Sequence, residues 1–275
     1  MTRILSFISC VLATLLACSC RNDKPIREVS MQDSASAQSP TDSAMADSLA
    51  TPPQAADGLF DDFIYAFMRN RKFQLKRTDF PLACLIDGTD HPIAESQWKH
   101  DRLYSQSDTY TLIFDSEKDI SAEKDTALKH VVVEWVYLSQ KRVKQYHFAK
   151  SNGQWRLTRI EQHDLSKNIN SDFYTFYARF ATDKAFQRRH ILDPFQFKTH
   201  DFDNFQTIEG VLDVNQWPDY RPKLPQGTIT NINYGQHYGN RRTRVLMICS
   251  PSGGMGCALT FIRKGNTWKL KKLEN

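Results

Sequence analysis

Trp155-Arg156-Leu157-Thr158-Arg159-Ile160-Glu161 returns 113 positions later as Trp268-Lys269-Leu270-Lys271-Lys272-Leu273-Glu274. The same offset carries Phe148 to Phe261, Phe73-Gln74 to Phe186-Gln187, and Pro81 to Pro194. One offset shared by separated segments means one architecture present twice. Within each quoted stretch Trp and Leu alternate with Arg or Lys, so the closing strand of each copy buries one face and wets the other.

Working back from those strands, each copy reads as helices followed by strands. Leu59, Phe60, Phe63, Ile64, Phe67 and Met68 recur at helical spacing and make one apolar face. Phe173, Phe176, Tyr177 and Phe180 do the same in the second copy, and Thr182-Asp183 predicts the cap of a short helix through Phe186-Gln187. Pro81 and Pro194 are expected to end these helical segments. Strands are expected at 110–114, 131–138, 143–149 and 155–160, with turns at Ser139-Gln140-Lys141 and Ser151-Asn152-Gly153. The second copy repeats the order at 228–234, 245–250, 258–263 and 268–273. Between helices and strands stand Gln97-Trp98 and Gln216-Trp217, at an offset of 119.

Helices and then a long antiparallel meander, closing on Asn-Gly-Gln-Trp155-Arg-Leu and Gly-Asn-Thr-Trp268-Lys-Leu, resemble the nuclear transport factor 2-like (NTF2-like) fold. The resemblance covers roughly residues 58–275. It implies an α+β class: two tandem curved antiparallel-sheet cones, each with N-terminal helices, at 58–164 and 167–275. Members of that superfamily often hold a small molecule inside the cone, some of them as enzymes. No motif carries a family catalytic residue onto a numbered position here.

Residues 1–17 read as an export signal, with one cation, Arg3, before an apolar stretch shorter than the ~20 residues a spanning helix needs. Leu15-Leu16-Ala17-Cys18 resembles the bacterial lipoprotein box, which implies lipidation at Cys18, with Cys20 as the alternative acceptor. Residues 18–57 are rich in Ser, Ala, Asp, Gln, Thr and Pro, too polar to fold, and are expected to form a disordered tether reaching on the order of 35 Å. Together these features are similar to a family of bacterial lipoproteins of unknown function, anchored in the cell envelope.

The formal net charge is +5, with cationic clusters at 69–72, 188–189, 241–244 and 269–272. Acidic residues are interspersed, so solvated faces account for these clusters better than an anionic partner does. No nucleic-acid motif occurs. Cys249 and Cys257 flank a turn-rich stretch between two apolar strands, which admits either a disulfide across a hairpin or two buried thiols. Cys84, inside Leu82-Ala83-Cys84-Leu85-Ile86, reads as a core thiol.

The residues that could carry chemistry are three His-Asp neighbours: His100-Asp101, His163-Asp164 and His200-Asp201, the last near Asp203. Adjacent strand residues point to opposite faces, so such pairs make poor dyads, and the His200–Asp203 loop reads as a polar turn rather than a metal site. Ser250-Pro251-Ser252-Gly253-Gly254 lacks the frame of a nucleophile elbow. No catalytic residue, cofactor or metal-ligand set is marked. The leading expectation is a membrane-tethered, non-catalytic module that binds a small apolar or glycan ligand or docks another envelope protein. A small-molecule hydrolase or isomerase with an acid–base pair in one cone is the alternative, and a purely structural partner of another envelope protein is a third.

Overall fold

The computed structural model describes residues 57–201, 204, 206–239, 242–251 and 256–275, all within one compact unit, Ala50–Asn275. The 1–17 signal, Cys18, Cys20, the tether before Asp57 and Asp203 lie outside the described residues.

Helix α1 (Phe60–Arg69) buries Phe60, Phe63, Ile64, Phe67 and Met68, the face its spacing predicts. Asp61 and Asp62 in its first turn and Arg69 in its last oppose the helix dipole. Asn70 accepts a hydrogen bond from Phe73 N at 2.9 Å and so opens α2 (Arg71–Lys76). In the second half α3 (Ser171–Thr182) leads to Asp183, which caps α4 (Lys184–Arg189) through Phe186 N at 2.8 Å.

Strands follow in matched order: β1 (Thr78–Ile86), β2 (Thr89–Asp90), β3 (Tyr110–Phe114), β4 (His130–Tyr137), β5 (Arg142–Ser151) and β6 (Gln154–Asp164). The second half gives β7 (Ile191–Asp201), β8 (Gln206–Leu212), β9 (Thr228–Asn233), β10 (Thr243–Cys249), β11 (Cys257–Lys264) and β12 (Thr267–Glu274), with a short α5 (Trp217–Tyr220) before β9. Asn152 and Gly153 take φ of 50° and 75° at the two-residue turn joining β5 to β6, a left-handed pair that Asn-Gly adopts at little steric cost. The prolines do not end the helical segments. Pro81 and Pro194 lie inside β1 and β7, where pairing with β6 and β12 shifts register, and a residue without an N–H is tolerated where the ladder is interrupted.

The sheets are ordered β2-β1-β6-β5-β4-β9 and β3-β10-β11-β12-β7-β8. Every neighbouring pair is antiparallel except β1 with β6 and β7 with β12, so each sheet is mixed. Those parallel pairs enclose the rest of their half between them, the long crossover that parallel pairing requires.

Each sheet borrows its last strand. From the first half β3 pairs with β10, and from the second half β9 pairs with β4. The two exchanged strands meet edge to edge and are tied by side chains. Thr111 N donates to Thr230 Oγ1 at 2.8 Å, and Thr230 N to Thr111 Oγ1 at 3.0 Å. The two hydroxyls donate to the opposing carbonyls, and Ile113 N donates to Asn231 Oδ1 at 2.8 Å. Open strand edges are thereby covered.

Two hydrophobic cores result, and each crosses the chain midpoint. Leu112 and Phe114 of β3 enter the core under α1, with Ile232, Tyr234 and Val245 from the second half. Ile113 enters the core under α3, with Val136, Leu138, Val143 and Leu165. The Gln-Trp positions become matched buried links: Trp98 Nε1 donates to Gln74 Oε1 and Trp217 Nε1 to Gln187 Oε1, both at 3.0 Å.

Candidate functional site

The space between helices and sheet is filled by rings in both halves. Phe60 lies 5.4 Å from Phe148 and 5.1 Å from Trp155 by ring centroids, and Phe67 lies 5.3 Å from Phe148. The second half matches this with Phe173 5.4 Å from both Phe261 and Trp268, and Phe180 5.2 Å from Phe261. Interlocked edge-to-face rings at this spacing pack like a protein interior.

One ionisable group of note meets another at the edge of the first cone. Tyr146 OH donates to Asp101 Oδ2 at 2.5 Å, Leu103 N donates to Oδ1 at 2.9 Å, and Lys144 Nζ stands 3.7 Å from Oδ2. Gln74 on α2 holds Asp101 in place through its backbone N–H and carbonyl. Burial, with Asp101 beside it, pushes the Tyr146 hydroxyl far above the usual phenol range, so it remains a donor at neutral pH. In the second cone the positions matching Lys144 and Tyr146 are Cys257 and Leu259, and the pair has no counterpart.

Of the three His-Asp neighbours only Asp101 enters this cluster. His100 Nε2 is buried without a hydrogen-bond partner, and burial holds its pKa below the ordinary histidine value. His163 Nδ1 lies 2.8 Å from the Asp164 carbonyl while Asp164 Oδ1 accepts from Ser166 N at 2.8 Å, so each ring and carboxylate serves a turn. His200 Nδ1 lies 3.2 Å from Thr207 Oγ1, and Asp201 accepts from Asn204. Among the described residues no group of three or more His, Cys, Asp or Glu could hold a metal. Nor is any helix among them long and apolar enough to cross a membrane.

Cys257 stands opposite Ile248 in the β10–β11 register, so Cys249 turns to the other face and packs on the other core. Both are free thiols in this structure, and burial pushes each up to about 11.

Two acidic groups, the buried Glu134 and the half-buried Asp61, went unremarked in the sequence. Glu134 on β4 accepts from Gln145 Nε2 and Asn168 Nδ2 at 2.8 Å, from Asn231 Nδ2 at 3.0 Å and from Tyr174 OH at 3.2 Å, and so joins both halves. Asp61, bonded to Tyr234 OH at 2.8 Å, is pushed up to about 6, chiefly by burial. Its folded pKa lies above the unfolded value near 3.8, so the folded state binds the extra proton and stability falls as pH rises from about 4 through about 6. Asp61→Asn keeps the acceptor for Tyr234. It should raise stability at pH 7.5 by about 1–2 kcal/mol, after allowing for solvent screening, and change nothing below pH ~4. Urea titrations at the two pH values check this, and equal effects at both would refute it.

Cavities open on the outside of the fold. One of about 280 Å³ lies on the outer face of the first sheet, lined by His130, Val132, His147, Thr158 and Arg159 among others. Thr158 is the extra residue at a bulge, where pairing passes from His147↔Arg159 to Phe148↔Leu157. Arg159 Nη2 lies 3.3 Å from Glu161 Oε2. His147 Nε2 stands 3.4 Å from that same oxygen and its Nδ1 3.5 Å from Arg159 Nη2, and burial, then Arg159, lowers the ring to about 4. The imidazole is therefore neutral at physiological pH. A second cavity, of about 450 Å³, lies beside α2, lined by Arg71, Leu75, Glu95, Ser96 and Trp98. A strand-face His and Arg carry no motif, and the alternation of wet and buried positions was the available signal.

A family model described as "Domain of unknown function (DUF4348)" matches residues 41–275. Among solved structures, an NTF2-like protein from Bacteroides fragilis NCTC 9343 is 39% identical with a TM-score of 0.74, covering 82% of this chain and 98% of that one. No curated protein matches. At that identity and coverage the NTF2-like α+β fold holds for this chain.

Proposed function

The chain belongs to the family described as Domain of unknown function (DUF4348), and from that premise we propose that it is a membrane-tethered, non-catalytic binding and docking module of the bacterial cell envelope. It is built, in this reading, from two tandem NTF2-like copies at 58–164 and 167–275 behind a lipid-anchored tether. The observation that carries it is the filling of both cones by phenylalanine and tryptophan rings, while cavities open on the outer surface. An NTF2-like enzyme needs a hollow cone with its acid and base exposed to substrate. Here Asp101 and Tyr146 are bonded to each other, and the tyrosine keeps its proton.

The anchor follows from Leu15-Leu16-Ala17-Cys18, and the partners would be the membrane itself with a small ligand or another envelope protein. Labelled-palmitate incorporation should disappear in Cys18→Ala, and the chain should leave the membrane fraction. Persisting label would move the acceptor to Cys20, and no label in the wild type would remove the anchor. The same preparations should show no turnover of envelope metabolites. A turnover abolished by Asp101→Asn would replace this reading with the hydrolase or isomerase alternative, in which Asp101 and Tyr146 would be the acid–base pair.

A further inference from the structure

We infer that the cavity on the outer face of the first sheet is a binding site for a small carboxylate ligand, held by Arg159 beside the His147 ring. This deepens the binding-module reading and rests on it. The molecule contains a second version of the same surface, already filled by a carboxylate of its own.

The two sheets present one lattice. Across β4, β5 and β6 the aligned residues are Val132, His147 and Arg159; across β10, β11 and β12 they are Val245, Thr260 and Lys272. Each position lies 113 beyond its counterpart, and each sheet shifts register immediately afterwards, between His147 and Phe148 or between Thr260 and Phe261. The next outward carboxylate on the closing strand is Glu161 in one sheet and Glu274 in the other, and each pairs with its neighbouring cation.

The surfaces differ in what reaches them. In the second sheet, Glu117 arrives from the segment between β3 and β4. Its Oε1 lies 3.0 Å from Lys272 Nζ and 3.4 Å from Thr260 Oγ1. Lys272 thus holds two carboxylates, Glu274 from its own strand and Glu117 from the connection, and is 16% exposed. The matching connection in the other half, between β9 and β10, is residues 234–242, nine residues against fifteen at 115–129. It reads Tyr-Gly-Gln-His-Tyr-Gly-Asn-Arg-Arg and holds no Asp or Glu. Arg159 forms an ion pair with Glu161 and its Nη2 lies 3.5 Å from His147 Nδ1, with no carboxylate from a connection beside it among the described residues, and its side chain is 43% exposed. The cavity is lined by His147 and Arg159, the counterparts of Thr260 and Lys272, which Glu117 touches in the second sheet.

The chemistry on offer there suits a carboxylate. A guanidinium supplies paired donors to carboxylate oxygens, and the neutral His147 ring, its Nδ1 facing Arg159 Nη2, forms an uncharged wall beside it. His130 borders the same space, and Glu161, which already shares Arg159, sets an upper bound on how strongly a second anion is drawn. At about 280 Å³ the space sits near the lower end of ligand sites, room for one sugar ring or a short acid. A uronate is the kind of ligand that fits.

The test uses the full chain, isotope-labelled at its histidine rings, titrated with glucuronate, with acetate, and with glucose as the uncharged control. Glucuronate and acetate should shift the His147 signal, identified by its loss in His147→Gln, to saturation, and glucose should not. Arg159→Ala should weaken glucuronate binding by about tenfold or more, the loss expected for one charge-assisted contact, while Lys272→Ala leaves it unchanged. Glu117→Ala should uncover the second surface and add a second binding event. The inference is overturned by the absence of a saturable shift with either acid, by an equal response to glucose, by full affinity in Arg159→Ala, or by unchanged stoichiometry in Glu117→Ala. Such a failure would leave the non-catalytic, tethered reading standing, since that reading falls with turnover lost in Asp101→Asn or with the absence of lipid label.

Discussion

Expressed separately, residues 58–164 and 167–275 should each fail to fold, whereas 58–275 should unfold in a single transition. The first half alone loses β9, which pairs with β4 from Val132 to Tyr137, and the second loses β3, which pairs with β10 from Val245 to Cys249. Two apolar strands would become open edges, the kind that aggregates. The cores lose more than the ladders. Without the second half the core under α1 loses Ile232, Tyr234 and Val245; without the first, the core under α3 loses Ile113, Val136, Leu138, Val143 and Leu165. At about 1.5–3 kcal/mol for each large apolar side chain, either loss is comparable with the whole stability of a typical domain, about 5–15 kcal/mol. Far-UV circular dichroism and tryptophan fluorescence should give coincident urea transitions for 58–275 and none for either half. A half that melts cooperatively by itself, with its own strand folded back, would show that the exchange is dispensable.

Trp155→Ala and Trp268→Ala should each cost about 3–5 kcal/mol and should both lower that one transition. Both indoles are buried, at 1% and 3% exposure, and each meets its helix edge-on: Trp155 against Phe60 at 5.1 Å and 79°, Trp268 against Phe173 at 5.4 Å and 80°. Truncation leaves a cavity among rings that are fixed by several neighbours and collapse poorly. For a chain of this size each kcal/mol moves the midpoint by roughly 2–4 °C, so shifts of about 6–20 °C are expected by calorimetry. A cost below ~1 kcal/mol, or a transition that splits in two with only one part moving, would contradict the interlocked core.

The Arg159 site shows how far a strand pattern reaches. Asn152-Gly153 fixes the β5–β6 turn, and alternation from Trp155 places the wet positions, so the cations of the outer face could be read from residues alone. Their difference could not. Arg159 and Lys272 stand at matched places in matched strands, and what separates them is whether a connection remote in sequence delivers a carboxylate. Likewise His100-Asp101 was visible as a pair, yet only Asp101 joins the ionisable cluster, because Tyr146 and Gln74 reach it from other elements.

By itself the sequence determined the local elements and their duplication. The apolar face of α1, the cap at Asp183, the Asn-Gly turn and the closing Trp strands each rest on residues a few positions apart, where periodicity and backbone preference act directly. Tertiary structure alone decided which sheet receives β3 and β9, and that β1 runs parallel to β6 and β7 to β12. A strand of five or six residues offers the same donors and acceptors to any partner. The choice is made by burial on both faces of Tyr110–Phe114 and by the threonine ties to β9, and neither exists until the halves meet. The same holds for Cys249 and Cys257, which sequence places across one turn and a one-residue register step sends to opposite faces.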